Sequence, residues 1–411
     1  MKKAIVLSAG PLSLGIVRSL GIKGIKSIVI YENKYDVAQF SKYCIEKIKI
    51  NNYLNKKEIF DILIKNKDKW LNSLIIPGSD ETLICVSYYK KELEKYYKLN
   101  VSDYNIVKQL INKELMYKIA TKAKIPIPKT IFPKSIEDVK KEYKNKKINF
   151  PCILKPRERH LFYKIFKTKL FIIKNYNELI LKYKLCEKNK LKMMITELIP
   201  GNDENLVSFV CYVKDGKITN EFQFHKIRQT PAFFGVARVC VSSNEEKLKI
   251  FVKNFLKEIN FSGNCAFEFK YDERDKKYKF IEVNGRIILN VALSTKCGIN
   301  YPYILYEDVI NNNFIEINDF EKGIYWINLY ADLKESLFNQ RPTLKEFFKP
   351  YFSKNVFAYE SFSDPLPMIL HWKNNLFNIF ANLFSYISLP FKAKKNKNKE
   401  GFKSLKSKSS K

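Results

Sequence analysis

Residues 263–290 read GNCAFEFKYDERDKKYKFIEVNGRIILN. Two strand-like runs, 265–272 and 278–287, flank the polar stretch Glu273–Lys277, the pattern of a β-hairpin. Side chains two apart on a strand share a face. In the second run that places Phe280, Glu282, Asn284 and Arg286 together. In the first run Phe267 and Phe269 flank Glu268, so the carboxylate lies opposite the two rings. If the strands pair, Glu268 and Glu282 approach each other. Two carboxylates and an amide oxygen are the hard donors that Mg²⁺ takes, usually with substrate phosphates completing its shell. Arg286 has the fork geometry for a phosphoryl group or a carboxylate. The plainer reading is a solvated hairpin face. The strongly apolar opposing residues and the order Glu…Glu-x-Asn-x-Arg favour metal–nucleotide binding instead.

Upstream, a helical pattern over 245–259 leads into the hairpin. Before it comes a basic cluster, His225-Lys226-Ile227-Arg228-Gln229 with Arg238, read as a loop and strand edge. Leu206–Val213 and Ile218–Phe224 are strands joined by Asp215-Gly216, a two-residue hairpin turn. Met193–Thr196 is a strand running into Glu197-Leu198-Ile199-Pro200-Gly201. Phe150–Lys155 is a strand with a lysine at its end, followed by a long basic loop to Lys169. Helices are expected from 136 to 147 and from Lys113 to Lys124, the latter capped by Asn112 and stopped by Ile125-Pro126-Ile127-Pro128. At the chain start, Ala4–Leu7, Leu14–Leu20 and Ser27–Tyr31 alternate strand, helix and strand, the opening of a nucleotide fold. Gly10, Gly15 and Glu32 imitate a dinucleotide fingerprint, but the spacing is wrong and Pro11 removes an amide donor. Leu74–Ile76 is a further buried strand, ending in a loop where Ser79 caps a helix rich in early acids.

The 411 residues exceed one typical domain. A hydrophobic content of 46% excludes global disorder. The net charge is +32, with 74 Lys and Arg against 42 Asp and Glu, a field that favours anionic partners. The eight cysteines show no CxxC pair and read as reduced thiols of a cytosol. Three histidines make a histidine-rich zinc site improbable. No apolar run has the length of a signal peptide or a transmembrane helix.

Taken in order, these pieces resemble the ATP-grasp superfamily, within it the carboxylate–amine ligases that include D-aspartate ligase and enzymes of surface-polymer assembly. The resemblance covers Lys113 to about Tyr306. It implies a mixed α/β and α+β fold: a Rossmann-like pre-ATP-grasp domain (1–100), a small lobe (101–195), a catalytic lobe (196–321) and a C-terminal helical extension (322–411). It also implies ATP and Mg²⁺ (or Mn²⁺), with small-molecule carboxylate and amine substrates joined through an acyl phosphate. Lys113 and Lys155 resemble the lysines on the ATP phosphates. Glu197 and Leu198 fall at the hinge that meets the adenine, and Glu204 where an acid holds the ribose. Glu268, Glu282 and Asn284 match the magnesium set. Arg286 matches the arginine that steadies the transferring phosphoryl or the substrate carboxylate. Arg228, with Lys226 and Arg238, resembles the basic groups facing phosphate and substrate. The lid after Lys155 departs from the family. Segment 157–169 has no glycine and offers Arg157, Arg159, His160, Lys164, Lys167 and Lys169 in its place.

Beyond about Lys322 the resemblance thins. Asp364–Pro367 reads as a rigid turn before an amphipathic pattern, Leu370 to Leu389. Five lysines between 392 and 399 and a Ser/Lys tail follow. Residues 370–399 suit either an anionic membrane surface or docking on the body of the protein. The expected location is the cytoplasm, with peripheral attachment to the inner face of the membrane as the extension of that idea. A homodimer is left open. A basic nucleic-acid protein and a non-catalytic ATP-grasp scaffold are the competing readings. The first needs aromatics clustered on a basic sheet face, and the second conflicts with an intact metal set.

Overall fold

The computed structural model of the chain describes residues 3–231, 234–339 and 342–375. Its three sheets follow one another in sequence. The first holds β1 (Ala4–Leu7), β2 (Ser27–Tyr31), β3 (Cys44–Lys49) and β4 (Leu74–Pro77), all parallel, in the order β3-β2-β1-β4. Parallel strands need both faces covered, and residue alternation supplies this. Ile5 and Leu7 pack with Ile59, Leu63 and Trp70, whereas Ala4 and Val6 pack with Leu14, Val17 and Leu20. Gly15, in the Pro11–Gly21 helix, serves packing and not a phosphate. A Cβ there would stand 2.6 Å from Val291 Cγ1, where the Val291–Lys296 helix crosses.

The second sheet is small and antiparallel: β5 (Thr130–Ile131), β6 (Cys152–Pro156), β7 (Phe171–Ile173) and β8 (Met193–Glu197), in the order β5-β8-β6-β7. Helices Ile136–Lys144 and Tyr176–Lys188 cover one face through Val139, Leu179 and Tyr183. The stretch between β6 and β7, expected as a loop, contains a helix, Arg159–Phe166. Phe162 is buried there against Phe166 and Phe171, at 4.9 and 5.2 Å. An apolar residue once per turn outweighs the basic composition.

The third sheet comprises β9 (Leu206–Lys214), β10 (Lys217–Thr230), β11 (Val236–Ser242), β12 (Gly263–Asp272), β13 (Lys277–Asn284), β14 (Tyr325–Ile327) and β15 (Asn355–Phe357), in the order β13-β12-β9-β10-β11-β14-β15. Asp215 and Gly216 both take positive φ, the geometry of the tight turn joining β9 to β10. One face of this sheet packs Phe209, Cys211, Phe267 and Phe269 against helices Lys113–Lys122 and Glu246–Lys257. The other buries Val210, Tyr212, Phe222 and Phe224 in the same core as β1 and its helix. The N-terminal unit and the large sheet therefore share one hydrophobic interior.

The C-terminal extension continues this sheet. Helices Leu329–Phe338 and Leu344–Phe352 precede β15, which runs parallel to β14. Asp364–Pro367 is not a free-standing turn. A helix occupies 365–375, with Pro365 in its first turn, where the missing N–H costs nothing. The buried Asp364 carboxylate accepts bonds from Arg18 Nε (2.9 Å), Ser41 Oγ (2.7 Å) and Lys42 N (2.8 Å), tying the extension to the N-terminal unit. Of the expected amphipathic stretch 370–399, only 370–375 falls within the described residues.

Phe267, on β12 beside Phe209 of β9, packs under the Glu246–Lys257 helix, 5.2 Å from Phe255 and fully buried. Phe267→Ala should lower the unfolding free energy by about 3–5 kcal/mol, measured by urea titration. A loss below about 1 kcal/mol would show that this face collapses around the cavity.

Candidate active site

The site begins with the pairing of β12 and β13. Ala266 faces Asn284, Phe267 faces Val283 and Glu268 faces Glu282, but Phe269 then faces Phe280. Ile281 is an extra residue on β13, a β-bulge. Strict alternation places Phe280 beside Glu282; the bulge turns it over. Phe280 is fully buried against Phe255, Phe267 and Phe269 at 5.4–6.1 Å. Glu268, Glu282 and Asn284 stay on the opposite face, together with Ile281. The Ile281 carbonyl accepts the Tyr117 hydroxyl at 3.1 Å, fixing the bulge to the Lys113–Lys122 helix.

These residues line a cleft of about 300 Å³ between the small sheet and the large one. Ile153, Lys155 and Thr196 come from the small sheet; Lys226, Glu268, Lys270, Glu282 and Asn284 from the large one; Arg286 follows two residues after Asn284. Asn112 accepts bonds from the N–H groups of Glu114 and Leu115, which starts a helix at Lys113 and aims that lysine into the cleft. Lys113 Nζ lies 2.8 Å from Glu282 Oε2, and Lys226 Nζ lies 2.8 Å from Glu268 Oε2. The Lys113 charge holds the Glu282 carboxyl far below the usual carboxylate range, against the opposing effect of burial. Burial works to lower the Lys226 pKa, but Glu268 outweighs it and the net shift is upward. Lys155 differs. Burial, then the neighbouring Lys113 charge, lowers its pKa to about 7, with Glu282 opposing.

Arg286 lines the cleft and reaches the N-terminal unit, its Nε 2.7 Å from Asp80 Oδ1. Asp80 opens the helix that Ser79 caps through a reciprocal box with Thr82. Asn284 Oδ1 is 3.5 Å from the same guanidinium. Leu198 and Lys169 line the cleft as expected. Glu197 also borders it, but its carboxylate is engaged elsewhere: Oε1 accepts Lys129 N (2.9 Å) and Lys279 Nζ (3.2 Å), and Oε2 accepts Arg274 (2.9 Å). Burial raises its pKa, yet these donors outweigh that and the net shift is downward.

Three expected residues, Glu204, Arg228 and Arg238, are not brought to the cleft. Glu204 is exposed in a short 3₁₀ turn, and its backbone carbonyl, not its carboxylate, is engaged, by the His225 ring at 2.9 Å. The ribose role therefore has no support from its placement. Arg228 belongs to the interior strand β10, not to a loop or sheet edge. The β10–β11 pairing shifts register on both sides of Arg228. The residue turns to the back of the sheet, where it is buried and bonds Asp332 through Nε (2.8 Å) and Nη2 (2.7 Å). Arg238 is also buried and shares Asp332 at 2.9 Å. In the lid, Arg157 folds back onto Glu114 and onto the carbonyls of Met193 and Pro133.

The sequence reading missed Lys270. Its ammonium lines the cleft and donates to the carbonyls of Ile199 (3.0 Å) and Gly201 (3.1 Å), steadying the segment after β8. Burial lowers its pKa to about 8. Its position two residues after Glu268 is the signal that alternation carries. Gln229 was missed as well; it reaches the cleft and is held by the buried Asp203 at 2.8 Å.

For a divalent cation, the donors on this face are two carboxylates in register and a neighbouring amide oxygen. Each carboxylate keeps one oxygen beyond its lysine bond. This hard, all-oxygen set fits Mg²⁺ or Mn²⁺ completed by a ligand's oxygens. Among the described residues, no group of three or more His, Cys, Asp or Glu side chains is placed to hold a metal unaided.

The family described as "Carbamoyl-phosphate synthase L chain, ATP binding domain" matches residues 237–305, which include the whole hairpin and Arg286. A D-aspartate ligase from Enterococcus faecium (strain Aus0004) is 29% identical over 276 residues, or 64% of this chain. The chain spans 66% of the length of that curated relative. The structure of an N5-carboxyaminoimidazole synthetase from Staphylococcus aureus, complexed with ADP, superposes with a TM-score of 0.60 at 16% identity, over 78% of this chain and 81% of that one. An L-amino acid ligase from Bacillus licheniformis gives a TM-score of 0.58 at 14% identity, over 75% and 74%. At such identities the structures speak for the fold. Together these matches bear out the ATP-grasp resemblance and the mixed α/β architecture.

The buried charges have measurable consequences. Asp332 compensates two buried arginines, so Asp332→Ala should cost about 3–5 kcal/mol of unfolding free energy; a change under about 1 kcal/mol in urea titration would contradict that role. Unliganded Lys155 loses its proton as pH rises through about 7, whereas a triphosphate beside it favours the ammonium form. Nucleotide affinity should therefore fall as pH rises above 7, and binding near pH 8 should take up close to one proton. Calorimetry in buffers of differing ionisation heat measures the uptake. Its persistence in Lys155→Arg would assign it elsewhere.

Proposed function

We propose that this chain is an ATP-grasp ligase that activates a carboxylate with ATP and joins it to an amine. The observation that carries the reading is the cleft. Two carboxylates in register on one sheet meet lysines from a second sheet, from a linking helix and from a central strand. That is an arrangement for a polyanion and a divalent cation together. The D-aspartate ligase relative makes D-aspartate the first carboxylate to test, and surface-polymer assembly or amino-acid metabolism the pathway classes. The same reading divides the chain into units of 1–100, 101–195, 196–321 and 322–411.

In this account Lys113 and Lys155 hold the phosphates. Lys226, Lys169 and Arg286 supply fixed positive charge where negative charge develops, and such electrostatic stabilisation contributes most to catalysis of this class. Leu198 and the segment steadied by Lys270 meet the base. Glu268, Glu282 and Asn284 hold Mg²⁺ or Mn²⁺, which neutralises phosphate charge and aligns oxygens when bound. Positioning and electrostatics carry phosphoryl transfer, and no side chain need attack. In this reading Arg286, held against Asp80 of the N-terminal unit, meets the substrate carboxylate. Arg228 takes a structural role in place of the catalytic one expected from the sequence.

Release of ADP and phosphate, screened over pairs of carboxylates and amines with D-aspartate first, tests the function. With the active pair, Glu282→Gln should lower turnover by about a hundredfold or more. Near-normal ATP consumption by that variant would remove Glu282 from the reaction.

A further inference from the structure

The outer side of the C-terminal extension takes no part in this chemistry, yet it exposes an unusual amount of apolar surface. On the Leu344–Phe352 helix, Leu344 is 78% exposed, Phe348 44% and Phe352 87%, one residue per turn along a single stripe. Phe362 is 97% exposed just before the 365–375 helix, whose outward positions include Leu366 and Ile369. Exposed lysines accompany them: Lys345 and Lys349 beside the stripe, and Lys373 beyond Ile369. The acid of the first helix, Glu346, is occupied, accepting the Thr343 N–H at 2.8 Å in its own capping box.

Isolated exposed apolar residues need no explanation, but a regular aromatic stripe flanked by lysines does. Three occupants are conceivable, and charge separates them. A second copy of this chain carries the same +32, so a lysine-flanked face would meet its like. A single stripe on a nine-residue helix also offers no groove for a folded partner. An anionic bilayer suits both features, because rings enter the headgroup boundary while lysines meet phosphate oxygens. The sequence beyond the described residues points the same way. Leu376, Ile379, Phe380, Leu383, Phe384 and Ile387 recur at helical spacing. Ten lysines and one acid, Glu400, follow Asp364.

We propose that the exposed stripe of the Leu344–Phe352 helix, carrying Leu344, Phe348 and Phe352 with the neighbouring Lys345 and Lys349, docks the protein onto an anionic lipid surface. The inference does not depend on the ligase reading. Full-length protein is sedimented with phosphatidylglycerol-rich vesicles and with pure phosphatidylcholine vesicles, at low and high salt. The account expects binding to the anionic vesicles only and its weakening by salt. Leu344→Ser/Phe348→Ser/Phe352→Ser should reduce that binding about tenfold or more, with an unchanged melting temperature of the free protein as the check on folding. Absence of wild-type binding overturns the proposal. So does full binding by the triple variant, which would leave the lysine tail alone responsible. A solution dimer that the triple variant converts to monomer would give the face to a second copy, and overturns it too.

Discussion

The candidate site rests on one constraint, the register in which β12 meets β13. A hairpin with strict alternation cannot bury Phe280 and also present Glu282, because both would lie on one face. The extra residue at Ile281 resolves the conflict: Phe269 pairs with Phe280 in the core, while Glu268 pairs with Glu282 facing the cleft. A slip by one residue would exchange rings for carboxylates along the whole strand. The burial of Phe267, Phe269 and Phe280 beneath the Glu246–Lys257 helix therefore sets where the carboxylates stand. Core packing and site geometry are two consequences of one pairing.

Charge balance follows from that register. Among the described residues, six cationic side chains (Lys113, Lys155, Lys169, Lys226, Lys270 and Arg286) and three carboxylates (Glu197, Glu268 and Glu282) line the cleft. Buried charges are tolerated when paired, and here lysines rest on the two central carboxylates while Arg286 rests on Asp80. In the proposed account an entering polyanion gives the lysines a new partner and frees carboxylate oxygens for a cation. The remaining acid, Glu197, stays tied to Arg274 and Lys279 and shapes the cleft wall through the fold of its own segment.

Much of this was legible in the sequence. The short apolar run of β1, the Asp215-Gly216 turn and the Asn112 cap each express a strong local preference, and each occurs as read. Glu268, Glu282, Asn284 and Arg286 were found by strand alternation, and they line one cleft. The failures share a physical cause. Phe280 and Arg228 sit at register shifts, which periodicity does not encode. Glu204 looked poised for a ligand, but the neighbouring Asp203 is the buried one, bonded to Gln229. The basic stretch after β6 was read from composition, while Phe162 and Phe166 fold it by their spacing. The long-range pairs Arg286–Asp80 and Arg228–Asp332 depend on tertiary approach, which no local pattern specifies.

The central claim is that a divalent cation and a nucleotide share the face made by Glu268, Glu282 and Asn284. Anomalous diffraction from crystals of the full chain grown with Mn²⁺ and a non-hydrolysable ATP analogue tests it most directly. The account predicts manganese peaks within bonding distance of those oxygens, with the triphosphate reaching Lys113 and Lys155. Nucleotide bound elsewhere, or metal bound away from both glutamates, would contradict it.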